Sequence, residues 1–176
     1  MAERHRIYFA SDLHLGMQPP VESLQREKLF GEWLEEIRKD ARELWLLGDV
    51  CDYWFEAKNV VPRGFTRFLG ALAFLSDEGV EIHLIRGNHD IWVFDYLPTE
   101  IGLKVHRKSV RREWNTHSFH LGHGDGLHPG DLKYRMLQRL FKNRTIQWFY
   151  AWIHPNGSVA FAQRWSRKSR LQTGAI

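Results

Sequence analysis

The sequence predicts a single α/β domain built on a parallel β-sheet. Two observations carry this prediction. Short apolar runs alternate with segments of helical periodicity over the first half of the chain, and each apolar run ends in a polar cluster, as buried parallel strands do. With 176 residues, the chain is long enough for one such domain but short for two.

The predicted elements follow one another in a regular order. Residues 7–10, 44–47 and 82–85 are apolar runs that predict buried strands. Between them, residues 23–39 and 65–75 carry apolar side chains at helical spacing. Strand, helix, strand, helix, strand is the order of a parallel sheet layered with helices.

The pattern changes after Gly102. Residues 103–106, 110–114 and 118–122 predict short meandering strands, whereas 131–151, with a break at 143–145, and 157–170 predict helices. We therefore expect a core over residues 1–130 and a helical lid or insertion of the same domain over 131–170.

Charge and cysteine content narrow the classes of function. The net charge is +4, and residues 135–170 contain Lys and Arg but no Asp or Glu, so the basic excess suits nucleic acid, a membrane surface or an anionic substrate. The single cysteine, Cys51, permits no intrachain disulfide and predicts a cytoplasmic protein. No apolar run approaches the ~18 residues of a membrane span.

Four polar clusters each follow a predicted strand. Because ligands of α/β proteins bind at the carboxyl ends of strands, we expect these clusters to converge on one site. Glycines beside the last three allow the backbone to approach a ligand. The clusters are Asp12-Leu13-His14, Gly48-Asp49-Val50-Cys51-Asp52, Gly87-Asn88-His89-Asp90 and Gly122-His123-Gly124-Asp125.

The donor types in these clusters predict a pair of metal ions. Carboxylate, imidazole and amide oxygen suit Mn²⁺, Fe²⁺ or Zn²⁺. Asp12 and His14 are two residues apart, so in an extended chain they point to one side and can bind one ion. Asp49 can bridge two ions, and Asn88 and His123 would complete the second. Two metals ~4 Å apart can clamp a phosphoryl group and activate water.

Asp52 and His89 form a further predicted pair. The Asp52 carboxylate can accept a hydrogen bond from one ring nitrogen of His89 and thereby fix its tautomer. His89 could then stabilise charge on phosphoryl oxygens or protonate a leaving group, so both residues are candidate catalytic residues.

Taken in this order, the four clusters resemble the calcineurin-like metallophosphoesterases over about residues 6–126. The resemblance implies a β-sandwich core flanked by helices, which revises the plain parallel sheet. It also implies phosphoester or pyrophosphate hydrolysis. That family has a later Gly-His-x-His segment, which is not found in this sequence, so we expect the C-terminal strands to be missing.

A narrower resemblance extends beyond these motifs. Asp52-Tyr53-Trp54, then Asp131 and Tyr134, then an aromatic and basic helical stretch, resemble the UDP-2,3-diacylglucosamine diphosphatases of lipid A biosynthesis. That group implies Mn²⁺ dependence, a helical lid over acyl chains and peripheral contact with the cytoplasmic side of the inner membrane. It also implies substrate contacts by Asn88, His89 and Asp131, although many of its members carry arginine at the position of His89.

The expected function is cleavage of the diphosphate of a UDP-linked acylated glucosamine to UMP and a lipid phosphate. Two alternatives remain open. One is a general or nucleotide-directed metallophosphoesterase, and the other is a metal-binding fragment without turnover. The basic residues of the lid predict a diphosphate-facing or solvated surface, so nucleic acid is not the expected partner.

Overall fold

The structure is a computed structural model that describes residues 4–57, 60–125, 132–154 and 157. The described residues of Met1–Glu56 and Val61–His123 form one compact unit, and those of Ala57–Val60 and Gly124–Ile176 form another. The first unit combines a parallel sheet with helices, which confirms the mixed α/β class.

The parallel sheet has four strands in the order β1-β2-β3-β4. They are β1 (Arg6–Ala10), β2 (Ala41–Leu46), β3 (Glu81–Ile85) and β4 (Lys104–His106). The connections are α1 (Pro20–Ile37), α2 (Thr66–Asp77) and α3 (Tyr96–Ile101). Because neighbouring strands are all parallel, their carboxyl ends lie at one edge, which is where the first three polar clusters begin.

The two faces of this sheet are covered by different layers. Successive side chains of a strand point to opposite faces, so Leu44 and Leu46 join the cluster of buried side chains that includes α1 and α2. Trp45, between them, points the other way and packs with Ile85 and Leu121. Leu121 belongs to an antiparallel hairpin of β5 (Val110–Trp114) and β6 (His117–Leu121). The two sheets and the helices thus form the sandwich that the resemblance implies.

Two details of the predicted elements were wrong. Residues 104–106 form a fourth parallel strand, paired with β3, rather than part of a meander. The sequence also did not predict α3, because six residues that include Pro98 are too few for a periodic pattern. A distant side chain stabilises its first turn, since the Glu56 carboxylate accepts hydrogen bonds from the backbone N–H groups of Asp95 and Tyr96.

The second unit contains α4 (Leu132–Lys142) and α5 (Arg144–Ala151). Asn143 separates the two helices, and its side chain accepts hydrogen bonds from the backbone N–H groups of Thr145 and Ile146, which accounts for the predicted break. Asp131, and all of the predicted 157–170 helix except residue 157, lie outside the described residues.

Of the helices in the described part of the chain, none has both the length and the apolarity needed to cross a membrane.

Candidate metal centre

Backbone hydrogen bonds join the loops that follow β1 and β2. The N–H groups of Asp12 and His14 donate to the carbonyl oxygens of Gly48 and Asp49, at 3.1 and 3.0 Å. Asp12, His14 and Asp49 have φ angles of 55°, 45° and 52°. The expectation that Asp12 and His14 align along an extended chain was therefore wrong. Left-handed backbone brings them together instead, and this conformation costs roughly 1–2 kcal/mol per residue. Backbone strain of this kind is common at functional sites.

Two glycines let the loops approach one another. A β-carbon on Gly87 would overlap both the backbone nitrogen and the carboxylate of Asp49. A β-carbon on Gly48, which has a φ of +96°, would lie 2.7 Å from Nδ1 of His123. Side chains at these positions would push the metal-binding candidates apart, so glycine is required at both.

The Asp49 carboxylate lies at the centre of the cluster. Its Oδ2 atom is 3.3 Å from Nε2 of His123 and 4.0 Å from Nε2 of both His14 and His89. Oδ1 accepts a hydrogen bond of 2.9 Å from the backbone N–H of His89. Burial would raise the pKa of Asp49, but the contacts with His123 and His89 outweigh it and hold the pKa below its ordinary value. Asp49 is therefore ionised at neutral pH.

His123 is oriented by a backbone carbonyl. Its Nδ1 lies 3.0 Å from the carbonyl oxygen of Leu47, which can only accept, so Nδ1 carries the proton in a neutral ring. Nε2 lies 3.3 Å from Oδ1 of Asn88 and 3.3 Å from Oδ2 of Asp49. Without metal, a proton on Nε2 can be donated to the Asp49 carboxylate, and a divalent cation would displace that proton and meet three lone-pair donors.

The described residues contain two groups of three possible ligands whose donor atoms lie within 4.8 Å of one another. One group is Asp12, Asp49 and His123, and the other is His14, Asp49 and His89. Asp49 belongs to both groups, which is the arrangement that a bridging carboxylate needs. The donor set therefore fits divalent metals.

His14 has an environment suited to ligation. Burial, and then the proximity of His89, lower its pKa, so the ring is neutral and has a lone pair available at neutral pH. Its Nε2 atom lies 4.0 Å from Oδ1 of Asp12. The rings of His14 and His89 meet edge to face, with centroids 4.9 Å apart.

The contact between Asp52 and His89 differs from the prediction. Nδ1 of His89 lies 2.9 Å from the backbone carbonyl oxygen of Asp52, whereas the carboxylate Oδ1 is 3.6 Å away. The carbonyl, rather than the carboxylate, therefore fixes the tautomer and leaves Nε2 facing Asp49. The Asp52 carboxylate is buried and lies 3.8 Å from Nδ1 of His14.

Asp90 is a structural partner whose role the sequence did not show. It is 1% exposed, and its two oxygens accept hydrogen bonds from the backbone N–H groups of Val50 and Gly87, at 2.9 and 2.7 Å. It therefore ties the loop that carries Asp49 to the loop that carries Asn88. Burial, with the nearby charge of Asp49, raises the pKa of Asp90 to about 6. Only its place beside Asn88 and His89 hinted at this role.

The family assignment follows from a match to the calcineurin-like phosphoesterase family over residues 5–168. The chain belongs to the calcineurin-like phosphoesterase family. The match includes all of the residues that form the cluster around Asp49.

Several curated proteins resemble this family member along most of its length. A Porphyromonas gingivalis protein named UDP-2,3-diacylglucosamine hydrolase is 46% identical over 168 residues, covering 95% of this chain and 64% of the relative. A protein of the same name from Ectopseudomonas mendocina is 30% identical over 169 residues, covering 96% and 66%. The chain thus spans about two thirds of the length of these relatives.

A solved structure of the Pseudomonas putida nuclease MPE is 22% identical and aligns with a TM-score of 0.38, covering 56% of this chain and 46% of that one.

Proposed function

We propose that this chain belongs to a dinuclear metal hydrolase that cleaves the diphosphate of a UDP-linked acylated glucosamine to UMP and a lipid phosphate. The observation that carries the proposal is the cluster centred on Asp49 in a chain 46% identical to the P. gingivalis UDP-2,3-diacylglucosamine hydrolase.

The proposed ligands are divided between two ions. Asp12 and His14, whose Oδ1 and Nε2 atoms lie 4.0 Å apart, would hold one ion, Asn88 and His123 the other, and Asp49 would bridge them. This division differs from the two geometric groups, because it separates Asp12 from His123 and leaves His89 out of the ligands. Mn²⁺ is the proposed metal, and the same oxygen and imidazole donors also accept Fe²⁺ or Zn²⁺. When bound, two such ions would neutralise phosphoryl oxygens and activate water.

His89 is the proposed proton donor. Because Nδ1 lies 2.9 Å from the Asp52 carbonyl, the proton on Nδ1 is engaged, and Nε2 is the atom that can give a proton to a leaving oxygen. In the imidazolium form this proton lies on Nε2, 4.0 Å from Oδ2 of Asp49. Asn88, His89 and Asp131 are the proposed substrate contacts.

The second unit supports an acylated substrate and peripheral contact with the inner membrane. No side chain of α5 is buried. Trp148 and Phe149 of α5 are 56% and 63% exposed, and Trp152, which follows the helix, is 75% exposed. Arg139, Lys142 and Arg144 are also exposed. Exposed aromatic rings beside cations suit acyl chains and anionic head groups. On this proposal the protein is a cytoplasmic enzyme, and residues 131–170 form a lid that contacts the acyl chains of the substrate.

The test compares two substrates with the metal-loaded full-length protein. We expect turnover of the acylated UDP-sugar, with UMP released, to exceed turnover of a simple aryl phosphodiester in kcat/KM. Preference for the aryl phosphodiester would favour a general phosphoesterase. Metal binding without hydrolysis of either substrate would favour a scaffold that lacks turnover.

A further inference from the structure

A cavity of about 570 Å³ lies near the amino ends of β2 and β3, where the end of β5 covers them. Its lining is formed by Arg42, Glu43, Glu81 and residues 111–114. The candidate metal centre lies beyond the opposite ends of these strands. Since Glu43 and Asp49 are six residues apart along β2 and its loop, the backbone between the two places spans at most about 20 Å.

The carboxylates of this cavity are already paired. Glu43 forms an ion pair with Arg42 at 2.9 Å, and Glu113 forms one with Arg111 at 3.6 Å. Glu81 forms an ion pair with Lys104. Glu43 also accepts hydrogen bonds from the indole N–H groups of Trp45 and Trp114, at 2.9 and 3.1 Å. Burial would raise the pKa of Glu43, but the hydrogen bonds from Trp45, Arg42 and Trp114 lower it overall. Glu43 therefore stays ionised and satisfied.

Arg112 is the cation of this cavity that has no ion pair with a described residue. Among the described residues no carboxylate lies within ion-pairing distance of it, in contrast to Arg42 and Arg111. Its guanidinium carbon lies 5.2 Å from the centre of the Trp45 ring, and its Nε is buried without a hydrogen-bond partner. The ring supports the guanidinium from one side, so its terminal nitrogens are the groups available to an acceptor.

We propose that this cavity is a second ligand site, in which Arg112 binds the oxyanion group of a small molecule, either a phosphate or a carboxylate. A guanidinium fork pairs with either group through two parallel hydrogen bonds. The cavity has the volume of a small-molecule site. The carboxylates of Glu43, Glu81 and Glu113 would repel an anionic ligand only weakly, because each is already neutralised by an ion pair with Lys or Arg. The site does not depend on the metal centre or on the proposed function.

The indole N–H of Trp114 reports on this site because it donates to Glu43 at the cavity wall. We would record ¹H–¹⁵N spectra of the Mg²⁺-loaded protein, with the Trp114 resonance assigned through Trp114→Phe. Inorganic phosphate and acetate are titrated separately, against chloride at equal ionic strength. The expected result is a saturable shift of this resonance with at least one of the two oxyanions. The ion that binds more tightly identifies the group.

Variants locate the binding on Arg112. Arg112→Gln should abolish the shift, and Arg112→Lys, which keeps the charge but loses the fork, should weaken binding about tenfold. Arg111→Gln is the matched control, because Arg111 lines the same cavity but is already paired with Glu113, and it should bind as the wild type does. If Arg112→Gln does not fold, the ratio of the dissociation constants of Arg112→Lys and the wild type tests whether Arg112 binds the oxyanion. A Trp114 resonance that moves no further than with chloride, or equally in the Arg112 variants, would overturn the proposal.

Discussion

His89 and Asp52 meet through the backbone: Nδ1 of the imidazole lies 2.9 Å from the Asp52 carbonyl oxygen, and the carboxylate is farther away, at 3.6 Å. A carbonyl holds the ring in one tautomer whatever side chain stands at position 52. The charge of Asp52 then acts on His89 only across space, as does that of Asp49 at 4.0 Å. Orientation and charge are therefore supplied by different groups, which separate substitutions can distinguish.

The first prediction concerns His89. His89→Ala should lower kcat by on the order of 10²–10⁴, because a positioned acid contributes about that much, while metal content measured by elemental analysis stays normal. Asp52→Asn should lower kcat much less, because the carbonyl remains. Loss of bound metal in step with activity would show instead that His89 is a ligand.

The second prediction concerns Asp49. Asp49→Ala should abolish both activity and binding of the metal pair, since this carboxylate belongs to both groups of possible ligands. Calorimetric titration with Mn²⁺ measures the loss. Wild-type turnover in this variant would rule out the dinuclear mechanism.

The third prediction concerns the close approach of two loops. Gly87→Ala should lower metal affinity and melting temperature together, because the new β-carbon would overlap Asp49. Gly70→Ala is the matched control: its β-carbon meets nothing within 4 Å, and in the helix α2 it should stabilise by about 0.5–1 kcal/mol. Equal effects of the two substitutions would contradict the packing argument.

The fourth prediction concerns pH and His83, which stacks on Trp45 with ring centroids 3.8 Å apart. Burial lowers the pKa of His83 to about 4, so the folded state binds this proton less readily than the unfolded state, whose pKa is about 6.5. The contribution of His83 to stability is complete above about pH 6.5 and is lost as the pH falls towards 4.

Urea unfolding of the metal-free protein at several pH values measures this dependence. His83→Phe, which keeps an aromatic ring against Trp45, should flatten it, whereas replacing the exposed His117 with Gln should leave it unchanged. An unchanged acid dependence in His83→Phe would assign the effect to other groups.

The fifth prediction concerns α5. Replacing Trp148 and Trp152 with Ala should strongly reduce turnover of the acylated UDP-sugar, because these exposed rings would no longer cover apolar tails. Hydrolysis of an aryl phosphodiester should largely persist. Equal losses on both substrates in a folded variant would argue that α5 serves stability and not substrate binding.

The sequence predicted the features that depend on local patterns. The apolar runs at 44–47 and 82–85 became β2 and β3 within a few residues, because a strand buried on both faces needs a continuous apolar run. The run at 7–10 became β1, but the prediction that it is buried was wrong: β1 is an edge strand without a buried residue, and Phe9 is 41% exposed. The parallel order then placed Asp12, Asp49 and Asn88 at one edge. Short elements such as α3 and β4 carry too few residues to show a period.

Other features depend on contacts between distant parts of the chain. Asp90 is only the last residue of a polar cluster in the sequence, and the fold shows its carboxylate between the N–H groups of Val50 and Gly87. Likewise, a sequence shows the side chain of Asp52 but not the direction of its carbonyl. Arg112 gave no signal at all, because an unpaired cation is recognisable only once its neighbours are known.

The alternation of Leu44, Trp45 and Leu46 has a consequence for quality control of the purified protein. A shift of β2 by one residue would turn Trp45 towards the helices and both leucines towards the hairpin, and it would also displace Asp49, which follows three residues after Leu46. A misregistered molecule would thus lose its bridging carboxylate along with its packing. The fraction of a preparation able to take up metal should then equal the fraction with correctly paired strands, which makes metal titration a direct assay of folding fidelity.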